Sequence, residues 1–508
     1  MNAAESLSPS PNFESYRAPS SRAKARDLGG RAVRRCPARK RTGLALLAAF
    51  LAPSWSFAQD AKPTSPWKPI VDFRLRAESF DTPIANAVTQ DDSYGFVTSR
   101  LRVGFDWQKE RWTVHGLLEG ASGTGFPVSA VLGSGPTYFA ASGRRENVSG
   151  AGIAELSVHY KGDAGWARLG RQGYGDGFEA KTGSAFLDGV KRRRLAERLV
   201  GNLDFTNVGR RYDGASGQLA WGGEKNKVRL DGYLLSPLSG AFDHDNVFEP
   251  LEDITLVGTT LTAERGAWIP QTEARLFAIQ YRDERLVAQR IQRDSKLEVT
   301  TVGASILAGN DAMDLLVWVA AQKRPGSGGG TDSAFLVDLG KSFPAAAWKP
   351  AVHLAFEQAS GGKRTQDHQG FFNLIPTNHK FYGSLDYFAF SNLRDVYLES
   401  TLTPAKGWKV RAALHDFSLV DAQDAWYGGS GAFQDDTFGY VARRPGPARA
   451  FRHRDLGREF DLDITMTVRE GLDISWGGAA LDAGKAVREV FPKGSDGRWY
   501  YFEVSWKP

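Results

Sequence analysis

Arginines at alternate positions are the residues of this sequence best suited to chemistry. Arg74 and Arg76 alternate with Phe73, Leu75 and Ala77, and Arg100 and Arg102 alternate with Leu101 and Val103. Arg229 and Arg411 take the polar positions of similar stretches, and His353 lies on the polar side of its own. Arg168 or Arg171 joins them, according to the register about Gly170. A guanidinium plane pairs with a carboxylate through two parallel hydrogen bonds. A ring of such groups in a narrow aqueous passage attracts anions and repels cations. The same polar positions also carry Asp72, Asp106, Glu119, Asp231, Asp338, Glu357, Glu399, Asp461, Asp463 and Glu503. Two readings therefore stand side by side: arginines that select an anionic solute, and facing charges that brace a wall. Arg74, Arg76, Arg100 and Arg102 favour selection, since two adjacent strands would present four positive charges together.

Catalytic readings find less support. His115, His159, His244, His353, His368, His379, His415 and His453 are scattered, without HExxH or another metal-ligand spacing. Asp243-His244-Asp245-Asn246 resembles a calcium string only weakly and reads as a polar loop tip. Nothing marks Ser384 as a nucleophile beside His379 and Asp386, and no glycine motif opens a helix after a strand. The sequence thus suggests no enzyme, cofactor or metal. Two loop features remain. Lys191-Arg192-Arg193-Arg194 either folds inward as a pore lining or gate, or forms a solvated or lipopolysaccharide-facing patch. The stretch from Ala359 to Tyr387 holds Phe371, Phe372, Phe381 and Tyr382, enough apolar surface to pack into a lumen as a plug or gate.

The elements that position these residues have a period of two. Val71, Phe73, Leu75 and Ala77 alternate with Asp72, Arg74, Arg76 and Glu78; Phe460, Leu462, Ile464, Met466 and Val468 alternate with Glu459, Asp461, Asp463, Thr465 and Thr467. The pattern predicts about 18 strands of roughly ten residues, the length that crosses a membrane when tilted. Short connections at 108–111, 161–165, 222–227, 263–271, 309–312, 341–350, 403–407 and 469–471 alternate with longer polar ones. Both termini then lie at the short-turn end. Trp67, Trp107, Trp112, Trp166, Trp221, Trp268, Trp348, Trp408 and Trp506 lie at that end too, one level where amphipathic rings favour a membrane interface. In hydrocarbon every backbone polar group needs an internal partner, so such a sheet must close on itself. The fold expected is all-β: a transmembrane antiparallel β-barrel, apolar towards lipid and charged within.

The chain's 64 Lys and Arg against 58 Asp and Glu give a net charge of +6. Ten basic and three acidic residues of that total fall in residues 1–58, leaving 54 and 55 in 59–508. Basic residues 31–41, the apolar run Leu44–Ala52 and the small residues Ser56 and Ala58 read as a cleaved secretory signal peptide. The excess positive charge and the sole cysteine, Cys36, leave with it, so the basic balance implies no nucleic-acid partner and no disulfide. Residues 59–508 form the barrel domain.

The stretches RLRAESF (74–80), RLGRQ (168–172), AERLVGN (196–202), VGRRYDG (208–214), FLVDLGKSFP (335–344), SNLRD (391–395), DAQDAWY (421–427) and LGREFDLDIT (456–465), with the 359–383 run, resemble the alginate export family of outer-membrane barrels. The resemblance implies a monomeric 18-stranded channel of the bacterial outer membrane, passing an anionic polysaccharide or oligosaccharide such as alginate through an arginine-rich constriction. A general or small-acid-selective porin is the alternative, and a secreted polysaccharide lyase would be a different class. Partners implied are outer-membrane lipid and lipopolysaccharide, the barrel-assembly machinery and periplasmic export proteins. One departure is that Lys507 and Pro508 follow Trp506, where such barrels commonly end on an aromatic residue.

Overall fold

The computed structural model describes residues 65–83, 92–223, 226–287, 296–324, 331–362, 370–429, 433–434, 437–438, 440–446, 449–493 and 496–508. The leader, 1–58, lies outside them. The first six strands are β1 (Trp67–Asp81), β2 (Ser93–Lys109), β3 (Trp112–Thr124), β4 (Asn147–Lys161), β5 (Gly165–Gln172) and β6 (Tyr212–Trp221). Next come β7 (Val228–Pro237), β8 (Ile254–Ala263), β9 (Thr272–Asp283), β10 (Leu297–Gly309), β11 (Met313–Lys323) and β12 (Asp332–Ser342). The last are β13 (Ala351–Ala359), β14 (Leu393–Leu402), β15 (Trp408–Leu419), β16 (Asp455–Arg469), β17 (Leu472–Ala483) and β18 (Gly497–Trp506). Each pairs antiparallel with its neighbour, and β1 pairs with β18 from Phe73 opposite Trp506 to Asp81 opposite Arg498. The sheet is closed and has no free edge. Eight short turns and nine longer loops, numbered here 1–9, join the strands in the alternation expected.

Period two decides which side chains face which medium. On β1, Asp72, Arg74, Arg76 and Glu78 are buried, whereas Leu75 and Ala77 between them are exposed. Leu101, Val103, Leu118, Val158, Leu230, Leu276, Val302, Leu339, Leu354 and Leu398 are exposed in the same way around the barrel, forming an apolar outer band. Trp67, Trp112, Trp221, Trp268, Trp348 and Trp506 are exposed at the short-turn end, a girdle where each ring meets both lipid and water. Trp166 instead turns inward.

The interior is filled by loops. Loop 3 (173–211) follows β5, and its short helix Ala185–Val190 runs into a π turn, Lys191–Leu195. Loop 7 (360–392) inserts Phe371, Phe372, Leu374, Ile375, Phe381, Tyr382, Phe388 and Phe390, all buried. Phe372 packs 5.6 Å from Tyr281 of β9, and Phe388 packs 4.4 Å from Phe417 of β15. The two loops join backbone to backbone, with a parallel bridge between Val200 and Ile375 and hydrogen bonds from Gly201 to Ile375 and from Thr377 to Glu197. Loop 4 (238–253) lies against β4 so closely that a Cβ on Gly150 or Gly152 would fall 2.2 Å from the carbonyls of His244 and Val247. Only glycine permits that approach.

Candidate functional site

The inner wall is polarised across the lumen. One side, formed by β1 and β2, carries Arg74, Arg76, Arg100 and Arg102, with Arg74 directly opposite Arg100. Their guanidinium groups meet five successive carbonyls of loop 3. Arg74 donates to the carbonyls of Asp204 (2.7 Å) and Thr206, and Arg76 to that of Phe205 (2.8 Å). Arg100 donates to Asn207 (3.4 Å) and Arg102 to Val208 (3.1 Å). Wall carboxylates hold the same arginines from behind: Glu503 sits 2.6 Å from Arg76, and Glu119 is 2.5 Å from Arg102. Selection and bracing were the two roles open to these side chains; their guanidinium groups are occupied by the loop and the wall.

The opposite side, β9 to β14, is acidic, and loop 3 turns its basic residues towards it. Lys191 is fully buried, 2.7 Å from Glu273. Arg193 forms a two-pronged pair with Glu399 (2.6 and 2.7 Å). Arg194 lies 2.9 Å from Glu399 and 3.3 Å from Asp338. Arg198 donates to Glu357 (2.6 Å), and its guanidinium plane sits 4.3 Å from the Phe381 ring of loop 7. Arg411 completes this side from β15, between Glu399 (2.6 Å) and Asp463 (2.7 Å). Loop 3 is therefore a strap across the lumen, electropositive at one end and rich in carbonyls at the other, each end matched to the wall it touches.

Few cations are left over. Arg168 of β5 points inward, whereas the register carries Arg171 to the outer face, opposite Leu156 and paired with Asp213 at 2.9 Å. The alternation of β5 thus keeps Arg168 in the inner set and removes Arg171 from it. Arg168, Lys181 and Arg229 line a cleft of about 740 Å³ between loop 3 and the inner faces of β5 to β7, towards the short-turn end. Trp166, Tyr174 and Phe178 supply its rings, and Gln172, Gln218, Asp231, Glu264 and the Arg275-paired Glu179 its acceptors. Arg229 is paired with Glu264 and bonded to Gln218. Arg168 and Lys181 form no ion pair among the described residues. Exposed Arg192 stands 4.9 Å from the Phe178 ring. Lys181, Arg198 and Asp204 were not singled out by the sequence. Lys191, Arg194 and Arg198 recur at three- and four-residue intervals, a one-sided spacing that would have flagged Arg198.

Two loop groups differ in how they answer acid. Desolvation by its surroundings pushes the Asp204 carboxyl up, but Arg211, Arg102 and Arg100 outweigh this and hold it well below the usual range. A depressed carboxyl contributes stability above its unfolded pKa of about 4 and loses it only as pH falls through the folded value. His244 of loop 4 behaves oppositely. It is buried between Phe126 and Tyr138, with Nε2 2.8 Å from the Asn207 amide, and burial lowers its pKa to about 4. A depressed histidine stabilises fully above about 6.5 and loses that contribution as pH falls towards 4. Current fluctuations in a planar bilayer should accordingly rise between pH 6.5 and 4, and His244→Gln should remove that rise. Fluctuations independent of pH in the native channel would contradict it.

A closed antiparallel barrel with an apolar belt, an aromatic girdle and a charged interior is an outer-membrane channel, its short turns periplasmic and its long loops outside. The chain belongs to the alginate export family, whose model, described as Alginate export, matches residues 70–501. No protein of curated function matches it in sequence. Among solved structures it is similar to OccAB4 of Acinetobacter baumannii (8% identity, 87% of this chain and 98% of that one, TM-score 0.52). OccK9 (OpdG) of Pseudomonas aeruginosa is similar at 12% identity, over 86% of this chain and 98% of that one, with a TM-score of 0.52. At such identities the likeness is one of fold.

Proposed function

We propose that this channel passes an anionic saccharide, a uronate-type polymer or oligomer, and that the periplasmic cleft is where the solute first engages. One observation carries the reading: two cations without a carboxylate partner among the described residues, Arg168 and Lys181, share a cleft with Trp166, Tyr174 and Phe178. Fixed positive charge draws in a carboxylate, and flat rings offer their faces to the C–H side of a sugar. Membership of the alginate export family supports the same substrate class. A second reading, a channel for small organic acids, is favoured by the packing of loops 3 and 7 across the lumen, which leaves less room for a polymer.

Reversal potentials across a salt gradient test the proposal. The native protein should prefer anions, and Arg168→Gln with Lys181→Gln should weaken both that preference and the block by oligouronate added on the periplasmic side. Cation preference in the native channel would sink it. Block by a monomeric acid alone, with oligomers inert, would favour the second reading.

A further inference from the structure

A cluster of three buried groups lies apart from the cleft, on the inner faces of β11, β12 and β13 near the short turns. Register puts Asp314 of β11 and His353 of β13 on either side of Gly340 of β12, with Asp338 two residues along. His353 Nδ1 is 2.9 Å from Asp338 Oδ1 and 4.0 Å from Asp314 Oδ1. One donor atom from each residue falls within 4.8 Å of the others. All three residues are more than nine-tenths buried, at 5%, 0% and 6% residual exposure for Asp314, Asp338 and His353.

Asp314 is the telling member. Both of its carboxylate oxygens are buried and, among the described residues, neither accepts a hydrogen bond. An unpartnered carboxylate out of water is costly, and such a group is normally neutralised, paired or bound to a metal. Gly340 keeps the space between the ligands open. A Cβ there would lie 2.0 Å from Asp314 Oδ2 and 2.4 Å from His353 Cε1. The second oxygen of Asp338 is already engaged, 3.2 Å from the Tyr397 hydroxyl and 3.3 Å from Arg194 Nε. Its Oδ1 therefore remains for the cluster, and Tyr397 and Arg194 fix the carboxylate plane as supporting groups do around a metal ligand.

We infer that Asp314, Asp338 and His353 bind one divalent transition-metal cation of the zinc class. Two carboxylates and a neutral imidazole cancel a double positive charge, and a mixed oxygen and nitrogen set suits zinc or its neighbours better than calcium, which prefers oxygen alone. Binding displaces any proton on Nδ1 to solvent, and Asp338 Oδ1 changes from hydrogen-bond acceptor to ligand. Three ligands from three strands about 15 and 24 residues apart make no local motif, so periodicity alone gives no sign of them. The site would tie β11, β12 and β13 together and, through Asp338, bear on the Arg194 end of the loop 3 strap.

Cobalt titration of the untagged, chelator-stripped protein in detergent, followed by visible absorbance, tests the inference, with zinc calorimetry alongside. One equivalent should bind. Affinity should fall by more than about 100-fold in Asp314→Asn and in His353→Gln, beyond what a merely supporting residue costs. His453→Gln, on an exposed loop, should bind as the native protein does. The faster migration of unboiled, folded barrel on a gel shows that each variant has assembled. Failure of the folded native protein to bind, or equal binding by the folded His353→Gln variant, would overturn it.

Discussion

Excision of residues 177–208, with Asp176 joined to Gly209, should raise single-channel conductance severalfold and shift selectivity towards cations. The deleted stretch holds six basic residues (Lys181, Lys191, Arg192, Arg193, Arg194 and Arg198) and four acidic ones (Glu179, Asp188, Glu197 and Asp204). Conductance rises because the strap crosses the lumen. Selectivity shifts because the two walls are left unequally compensated. Arg74, Arg76, Arg100 and Arg102 would still have Asp72, Glu119 and Glu503 among their partners. Glu273 and Glu357 would lose their strap cations and Arg275 its strap carboxylate Glu179, and Asp338 and Glu399 would keep, among the described residues, only His353 and Arg411 as cationic partners. Fixed charge on a low-dielectric wall governs which ion a pore admits. Planar-bilayer recordings of the native and excised proteins give both quantities, and unchanged conductance would mean that the strap does not obstruct the path.

Arg198→Met should cost about 3–5 kcal/mol of docking free energy, because it strands Glu357 as an uncompensated buried charge. The methionine keeps contact with Phe381, so the loss is chiefly electrostatic. Barrel strands hold each other through their backbones, so the loss falls on loops 3 and 7 rather than on assembly. Protease nicking of the loops in an intact, heat-modifiable barrel is the expected sign. Glu357→Gln in the same chain removes the stranded charge and should restore most of the protection, a coupling that independent sites would not show. Exposed Arg111, paired with Asp163 at 2.8 Å, should tolerate the same change without measurable effect.

The barrel is readable in the sequence because a strand with lipid on one face and water or protein on the other must alternate. Arg74, Arg76, Arg100 and Arg102 share a face for that reason, and each short turn falls where the alternation breaks. The partners of those arginines are not readable. Backbone carbonyls 204–208 carry no sequence signature, and the course of loop 3 follows from charges on strands far along the chain. The 191–194 run shows both sides of this limit. Its charge marks it as an interacting segment, yet Lys191 and Arg194 are buried against the acidic wall while Arg192 stays exposed near the cleft. Loop 7 was easier to place, since its aromatic content leaves few stable alternatives to burial. Gly170 is the one local ambiguity in register, and pairing with β4 and β6, rather than β5 itself, decides it.

The strap also orders events in time. Arg193 reaches Glu399 across 206 residues, and Arg198 reaches Glu357 across 159, so neither contact can form before β13 and β14 have joined the sheet. Arg76 does more, since it grips Glu503 of the last strand and the Phe205 carbonyl at once. The strap can seat fully only after the first and last strands have met. A seated loop 3 is thus a receipt for closure, and a sheet that stalls before β9 to β14 have assembled would display Lys191, Arg193, Arg194 and Arg198 without their wall carboxylates to whatever machinery inspects it.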